Sequence, residues 1–246
     1  MQARYDELRD FASKISQENL SQESKTLYDS FVKSLDNLSY DSISLCELNN
    51  IDKQLSEYLL QSELADINSA KDIILPYFSA KYHTKSENKL AQIFGEQNIS
   101  YMRQALEQSR GTKPLVEFDT NYAEFYLDGK VAISKLLAQA QEAKQAGKDF
   151  NAQVARAFSR KELGEIDLVW ENEKMGLQKI IQKHLNDFAN FSGTTPQEKL
   201  ANGLSEIVSR WDIAQKDGVK TIWLTKDNKN YVVGLSKGWK GNGENI

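Results

Sequence analysis

The sequence predicts an α+β protein in two parts: an N-terminal helical bundle, then helices packed on a small antiparallel sheet. Three observations carry this prediction. Through residues 1–110, apolar side chains recur at three- and four-residue steps with few breakers. In GEIDLVW, residues 164–170, the period falls to two. Beyond it, the β-rich runs KTIWLTK and NYVVGLSKGWK flank the turn DNK and read as a hairpin.

The elements follow in chain order. Leu8, Phe11 and Ile15 share the face of a first helix. Leu27, Phe31 and Leu35 share that of a second, with Ser21 as its N-cap. Leu45, Leu48, Ile51, Leu55, Tyr58 and Leu59 mark a third. Pro76 is expected to end or kink a helix near Leu75, since it has no amide to donate. Another helix spans about 87–108 and stops at RGTKP, where Gly111 and Pro114 set a boundary. These helices form a module over 1–115, and 116–246 form the second domain. A mixed segment with room for a short strand precedes a helix over 131–146, closed by Gly147.

In the strand GEIDLVW, Ile166, Leu168 and Trp170 point one way and Asp167 and Val169 the other, as in a half-buried strand. Helices are expected over 175–188 and 195–211. The second has Thr195 as cap, Pro196 in the first turn and Glu198 at the capping-box position. GNGEN reads as a turn, and Ile246 as the first residue of a further strand.

Composition narrows the function classes. One cysteine, Cys46, excludes a disulfide framework and a multi-cysteine zinc site. No apolar run approaches the ~18 residues of a membrane span, and the charged start MQARYDELRDF does not read as a secretory signal. The expected location is the cytoplasm, of the producing cell or of a target cell into which the chain is delivered. The net charge of −4 is unevenly spread. Residues 1–154 hold 17 Lys/Arg against 23 Asp/Glu, and 155–246 hold 14 against 12. Within 220–240 stand Lys220, Lys226, Lys229, Lys237 and Lys240 against Asp227 alone. Such a stretch is either a phosphate-contacting surface or a hairpin with lysines guarding its edges.

Histidine is scarce. His83 sits at a polar junction and reads as a surface residue, and no Gly-rich phosphate loop or paired-histidine motif occurs in the first half. His184 falls on the helical face of Leu177, Ile180, Ile181 and Phe188. It is therefore either packed against the sheet and hydrogen-bonded there, or part of a reactive site.

LGEIDLVW, GLQKIIQKH, EKLANGLSEIV and the Lys-rich hairpin ending NYVVGLSKGW, taken in order, resemble the endoribonuclease domains grouped with barnase, EndoU, colicin and RelE nucleases. These occur in bacterial and phage-associated mobile-element proteins. The resemblance covers 124–246, with EFYLDGKVAISKLL and AFSRKELG as its lead-in, and leaves the first 110 residues uncovered. It implies an endoribonuclease toxin or effector in which the 2′-hydroxyl attacks the adjacent phosphate, with no metal and no cofactor. RNA is the implied partner, together with a cognate inhibitor or antitoxin protein. The alternative is a non-catalytic RNA- or protein-binding module.

Within this resemblance the pair Lys183–His184 marks the functional position, and His184 would serve as base or acid. Arg160 and Lys161 would clamp phosphate or are ordinary surface cations. Lys237 is a second cation for substrate. Tyr231, Trp239 and Trp223 would stack on bases or belong to the core. Glu165 or Asp167 would orient His184. Two departures stand out: members carry glycine after DLVW, where this chain has Glu171, and they continue into a strand W-x-x-T-x-Y-E that is absent here. Without that strand the chain is expected to be a fragment, or one whose natural end disarms it.

Overall fold

The structure is a computed structural model and describes residues 2–17, 20–61, 67–82, 85–94, 96–171, 176–216, 219–239 and 242–245. His83 and Met175 lie outside these. The chain forms two compact units, Met1–Ser109 and Arg110–Ile246. The fold is α+β: among the described residues the first unit is helical and every strand lies in the second. Among the described residues no helix is long and apolar enough to cross a membrane.

The first unit contains α1 (Gln2–Lys14), α2 (Gln22–Asp36), α3 (Leu45–Gln61), α4 (Ile67–Ser69), α5 (Leu75–Lys81), α6 (Glu87–Ile93) and α7, which begins at Glu96. The Ser21 hydroxyl caps α2 by accepting from the Ser24 amide. The buried face of α2 is Ser24, Tyr28, Phe31 and Leu35, so Leu27 stands half-buried beside the stripe expected for it. Leu45 is exposed because it is the first residue of α3, ahead of the turn that packs. Ser44 and Glu47 exchange hydrogen bonds there, a capping box the periodicity did not mark. Pro76 does not stop the chain's helical course: α4 passes through a π turn over Ala70–Ile74 directly into α5, so the change of helical pitch falls beside Pro76, near Leu75. The helix expected over 87–108 is two, broken between Ile93 and Glu96.

A charged group is set into this apolar bundle. Asp52 of α3 accepts from the Tyr77 hydroxyl at 2.8 Å and pairs with Lys81 at 2.8 Å and with Arg4. Burial alone would raise its pKa, but Lys81, Tyr77 and Arg4 outweigh burial and hold it below the usual carboxylate range.

In the second unit the described strands form two sheets. The first has the order β1-β2-β3-β8-β7, from β1 (Thr120–Asn121), β2 (Ala152–Arg160), β3 (Gly164–Val169), β7 (Lys237–Trp239) and β8 (Asn242–Asn245). It is mixed: β1 lies parallel to β2 and β8 parallel to β3, while the other neighbours are antiparallel. The second is an antiparallel meander of β4 (Asp212–Lys216), β5 (Val219–Lys226) and β6 (Lys229–Leu235). Asp227 and Asn228 both have positive φ (50° and 58°), and so turn β5 tightly into β6. GNGEN, expected as a turn, contributes β8.

Three helices complete the unit: α8 (Gly129–Gln145), α9 (Gly176–His184) and α10 (Pro196–Arg210). Gly129 at the start of α8 is obligatory, since a Cβ there would fall 1.9 Å from the Phe158 ring on β2. The capping box Thr195–Glu198 forms as expected, and Leu200, Leu204, Ile207 and Val208 of α10 are buried. The side chain of Gln153, fully buried, donates to the Leu115 carbonyl (2.6 Å) and accepts from its amide (3.1 Å), which pins the entering chain to β2.

Strand β2 carries a bulge between Val154 and Phe158, with Arg156 at φ 56°. The amides it frees find side-chain acceptors: Asn121 Oδ1 takes Ala155 N–H at 2.9 Å, and Asp167 Oδ1 takes Arg156 N–H at 2.7 Å. Strand β3 is consequently buried on both faces, with Ile166, Asp167 and Val169 all covered, rather than half-buried as its alternation suggested. Two residues past its end, Glu171 has a φ of 40°, which is unusual for a residue with a side chain and falls where the resembled family carries glycine.

Two predictions follow from these constraints. Replacing Glu171 with Gly should relieve the left-handed conformation and stabilise the second unit by about 1 kcal/mol, read from the shift of its chemical denaturation midpoint. Because folding lowers the Asp52 pKa, its contribution is present above the unfolded value of about 4 and lost as pH falls through the folded one. Hydrogen-exchange protection of α3 should therefore drop on acidification below about pH 4, and Asp52→Asn should flatten that dependence.

Candidate functional site

Helix α9 positions the chain's second histidine. Leu177 is buried, and Ile180 and Ile181 are half-buried on the face that meets the rest of the unit. The helix ends at His184, four residues earlier than expected, and the chain tightens into a 3-10 helix over Leu185–Asn190. That change of pitch turns the imidazole out of the apolar stripe. His184 is exposed, its side chain 52 % accessible, and is not packed against a sheet. The tighter turn also brings Asp187 to it, with Nδ1 and Oδ2 2.9 Å apart. A carboxylate at Nδ1 favours the tautomer with its proton there and leaves the Nε2 lone pair available.

Both residues border a cavity of about 1000 Å³ within the second unit. Its walls are aliphatic, from Leu168 of β3, Ile180 of α9, Leu204 and Ile207 of α10, and Val233 and Leu235 of β6. Polar residues share the lining: Lys179, His184, Asp187 and Lys229 carry exposed or half-buried ionisable side chains, Asn230 and Ser236 add neutral ones, and Asp167 is buried. Neither Lys179 nor Lys229 has an ion-pair partner among the described residues. Lys226, across the turn from Lys229, is instead held by Glu206 at 3.2 Å and lies over the Phe191 ring. Among the described residues, no three His, Cys, Asp or Glu side chains are grouped as a metal site requires.

Tyr231 lines the cavity and is buried, its ring against Phe191 (centroids 5.0 Å apart) and Phe188 (6.2 Å). Among the described residues its hydroxyl has no hydrogen-bond partner. Burial, with Asp227 and Asp187 adding to it against Lys226, raises its pKa and keeps it protonated at neutral pH.

The remaining candidates scatter. Arg160 and Lys161 sit at the end of β2 and in the turn after it, away from the cavity. The Arg160 guanidinium is engaged, donating to the Trp211 carbonyl at 2.6 Å and pairing with Glu162 at 3.1 Å. Lys183 is exposed and does not border the cavity. Lys237 and Trp239 lie in β7, and their side chains fall outside what the structure describes. Trp223 is exposed on the outer face of the second sheet, with Nε1 donating to Thr221 Oγ1 at 2.9 Å. Glu165 pairs with Arg156 at 2.6 Å, and Asp167 is taken up by the bulge amide; no hydrogen bond links either to His184.

Sequence reasoning did not single out Asp187, Lys179 or, individually, Lys229. Asp187 was within reach, because HLND places a carboxylate three residues after the histidine. Running one helix through to residue 188 hid the local turn that joins them.

Residues 157–246 match the model of a family described as phage-Barnase-EndoU-ColicinE5/D-RelE like nuclease1. The C-terminal part of the chain is thus similar to a phage-associated, nuclease-like family, and the match begins within β2, so the lead-in read over 124–156 lies outside it. No curated protein and no solved structure matches the chain.

Asp167 is expected to act through the fold. Asp167→Ala, which leaves the bulge amide buried and unpaired, should cost about 1–3 kcal/mol in chemical denaturation. Asp167→Asn, which keeps an acceptor oxygen, should cost less.

Proposed function

Taking the nuclease-family match as premise, we propose that the second unit is an endoribonuclease of a toxin or effector, with His184 as its acid–base group. The observation that carries the reading is the His184–Asp187 pair, surface-accessible at the border of a large cavity inside the matched segment.

In the proposed reaction the phosphodiester lies at the cavity border. Nε2 of His184 accepts the 2′-hydroxyl proton as that oxygen attacks phosphorus. The bond from phosphorus to the 5′-oxygen breaks, and the leaving oxygen takes a proton from solvent, which reaches His184 and Lys229. The products are a 2′,3′-cyclic phosphate and a free 5′-hydroxyl. Asp187 orients the imidazole, while Lys179 and Lys229 offset the charge that builds on the phosphate. No metal takes part in this scheme. A chain with this activity in a bacterial or phage setting would need a cognate inhibitor protein where it is made, and would act in a cytoplasm.

Cleavage of single-stranded RNA in EDTA should yield cyclic-phosphate ends, detectable by mass spectrometry. His184→Ala should lower the rate by at least about 100-fold with unchanged circular dichroism, since the side chain is on the surface. Asp187→Asn should lower it by about 10-fold, since it keeps a hydrogen bond but removes the charge. A folded chain that cleaves no RNA, or a His184→Ala variant as active as its parent, would leave a non-catalytic binding module as the better reading.

A further inference from the structure

We propose that the cavity beside His184 is a slot for one extended peptide strand of a partner protein, which pairs with β3 and β6 at once and joins the two sheets. The slot does not depend on the nuclease reading.

The backbone edge of β6 forms one wall. Every residue of β6 lines the cavity, although successive side chains of a strand point to opposite faces. Three of them have their side chains on the outer face of the sheet. Asn230 accepts there from Thr225 Oγ1 at 2.8 Å, Val232 is exposed, and a Cβ on Gly234 would meet only Thr221. These three therefore reach the cavity with their main chain. The tight turn explains why. In a two-residue hairpin the flanking pair, here Lys226 and Lys229, is hydrogen-bonded, and along the ladder such pairs alternate with unbonded ones. Asn230, Val232 and Gly234 fall on the unbonded positions, so their N–H and C=O groups point away from β5 and into the cavity.

Strand β3 brings a second edge. Ile166, Asp167, Leu168 and Val169 line the cavity consecutively. On one side the strand pairs with β2, and on the other β8 meets it at Ile166. Among the described residues no strand lies further along that side, beside Leu168 and Val169. Two incomplete edges on one cavity make a place for a single added strand, the contact by which extended peptides join sheets.

The rest of the lining sets the chemistry of that strand. Leu204 and Ile207 of α10 and Ile180 of α9 are aliphatic and match apolar side chains at alternate positions. Lys179 and Lys229, without ion-pair partners among the described residues, match an acidic side chain beside them. At the spacings of packed sheets a strand fills roughly 160 Å³ per residue. The volume of about 1000 Å³ thus holds about six residues, an ordinary strand length.

The test selects peptides from a random dodecapeptide library displayed on phage, with the full chain immobilised. Enriched peptides should alternate apolar residues with others and carry Asp or Glu. When one of them binds, exchange of the Val232 and Gly234 amides, read by NMR, should slow at least about tenfold. The amides of Val233 and Leu235, already bonded to β5, should not change. Gly234→Pro deletes one outward amide and spares the ladder to β5. It should weaken the peptide about three- to tenfold, in line with one lost hydrogen bond. Should that variant misfold, Lys179→Gln with Lys229→Gln should weaken an acidic peptide by about the same factor. No enrichment over a bare support, or enriched peptides that leave the Val232 and Gly234 amides unprotected, would overturn the slot. A chain that binds such a peptide and cleaves no RNA would keep the slot and remove the nuclease; one that cleaves RNA while no peptide protects either amide would do the reverse.

Discussion

The hydrogen bond from the Arg156 amide to Asp167 Oδ1, 2.7 Å long, holds the bulge on which the register of the second unit depends. On one side of it Gln153 and Val154 face Val169 and Leu168; on the other Phe158, Ser159 and Arg160 face Ile166, Glu165 and Gly164. Three residues of β2, 155–157, lie opposite the single Asp167 of β3, so two extra residues on β2 separate the two stretches. Without them the pairing beyond the bulge would move by two positions along β3. Asn121 Oδ1 secures the neighbouring Ala155 amide, and the Arg156 carbonyl accepts from the Leu127 amide at 3.0 Å. Three separate segments thus converge on one irregularity.

From that register the remaining placements follow. Phe158 receives the start of α8 at Gly129, the only residue type that fits there. Leu168 and Ile166 reach the cavity from β3, and α9 returns across them with Leu177 buried. The change from α to 3-10 pitch after His184 then decides whether the histidine belongs to the core or to the site. Had α9 continued, the imidazole would have stayed on the stripe shared by Leu177 and Ile181. Instead it is paired with Asp187 at the surface, where a histidine can exchange protons with solvent and substrate.

Much of this architecture is legible in the sequence where a residue's chemistry acts locally. Ser21 and Thr195 cap the helices that follow them, Asp227–Asn228 turns the hairpin, and α10 buries the stripe its spacing marks. Strand β2 escapes because it is buried on both faces and built from Ala, Gln and Arg, so neither alternation nor β-propensity announces it. Asp167 misleads for a related reason. Alternation places it on a solvent face, and only the bulge on the neighbouring strand explains a buried carboxylate there. The pairing of His184 with Asp187 depends on a helix ending one turn early, which hydrophobic spacing does not encode.

Charge shows how far composition can carry a site. Counted along the chain, the lysines between 220 and 240 look like one basic surface, but folding sorts them. Lys226 and Lys229 are cross-strand partners at the ends of the hairpin turn, and their fates differ. Lys226 lies over Phe191 and is neutralised by Glu206 of α10, so it contributes packing more than field. Among the described residues Lys229 has no ion-pair partner at the cavity border, and it is joined there by Lys179 from a different element. The cationic character of the site is therefore set by which lysines the fold leaves uncompensated. Two such groups lie on one border with a histidine whose own partner is an aspartate, and in the proposed reaction they would serve a single phosphate rather than a broad polyanion surface.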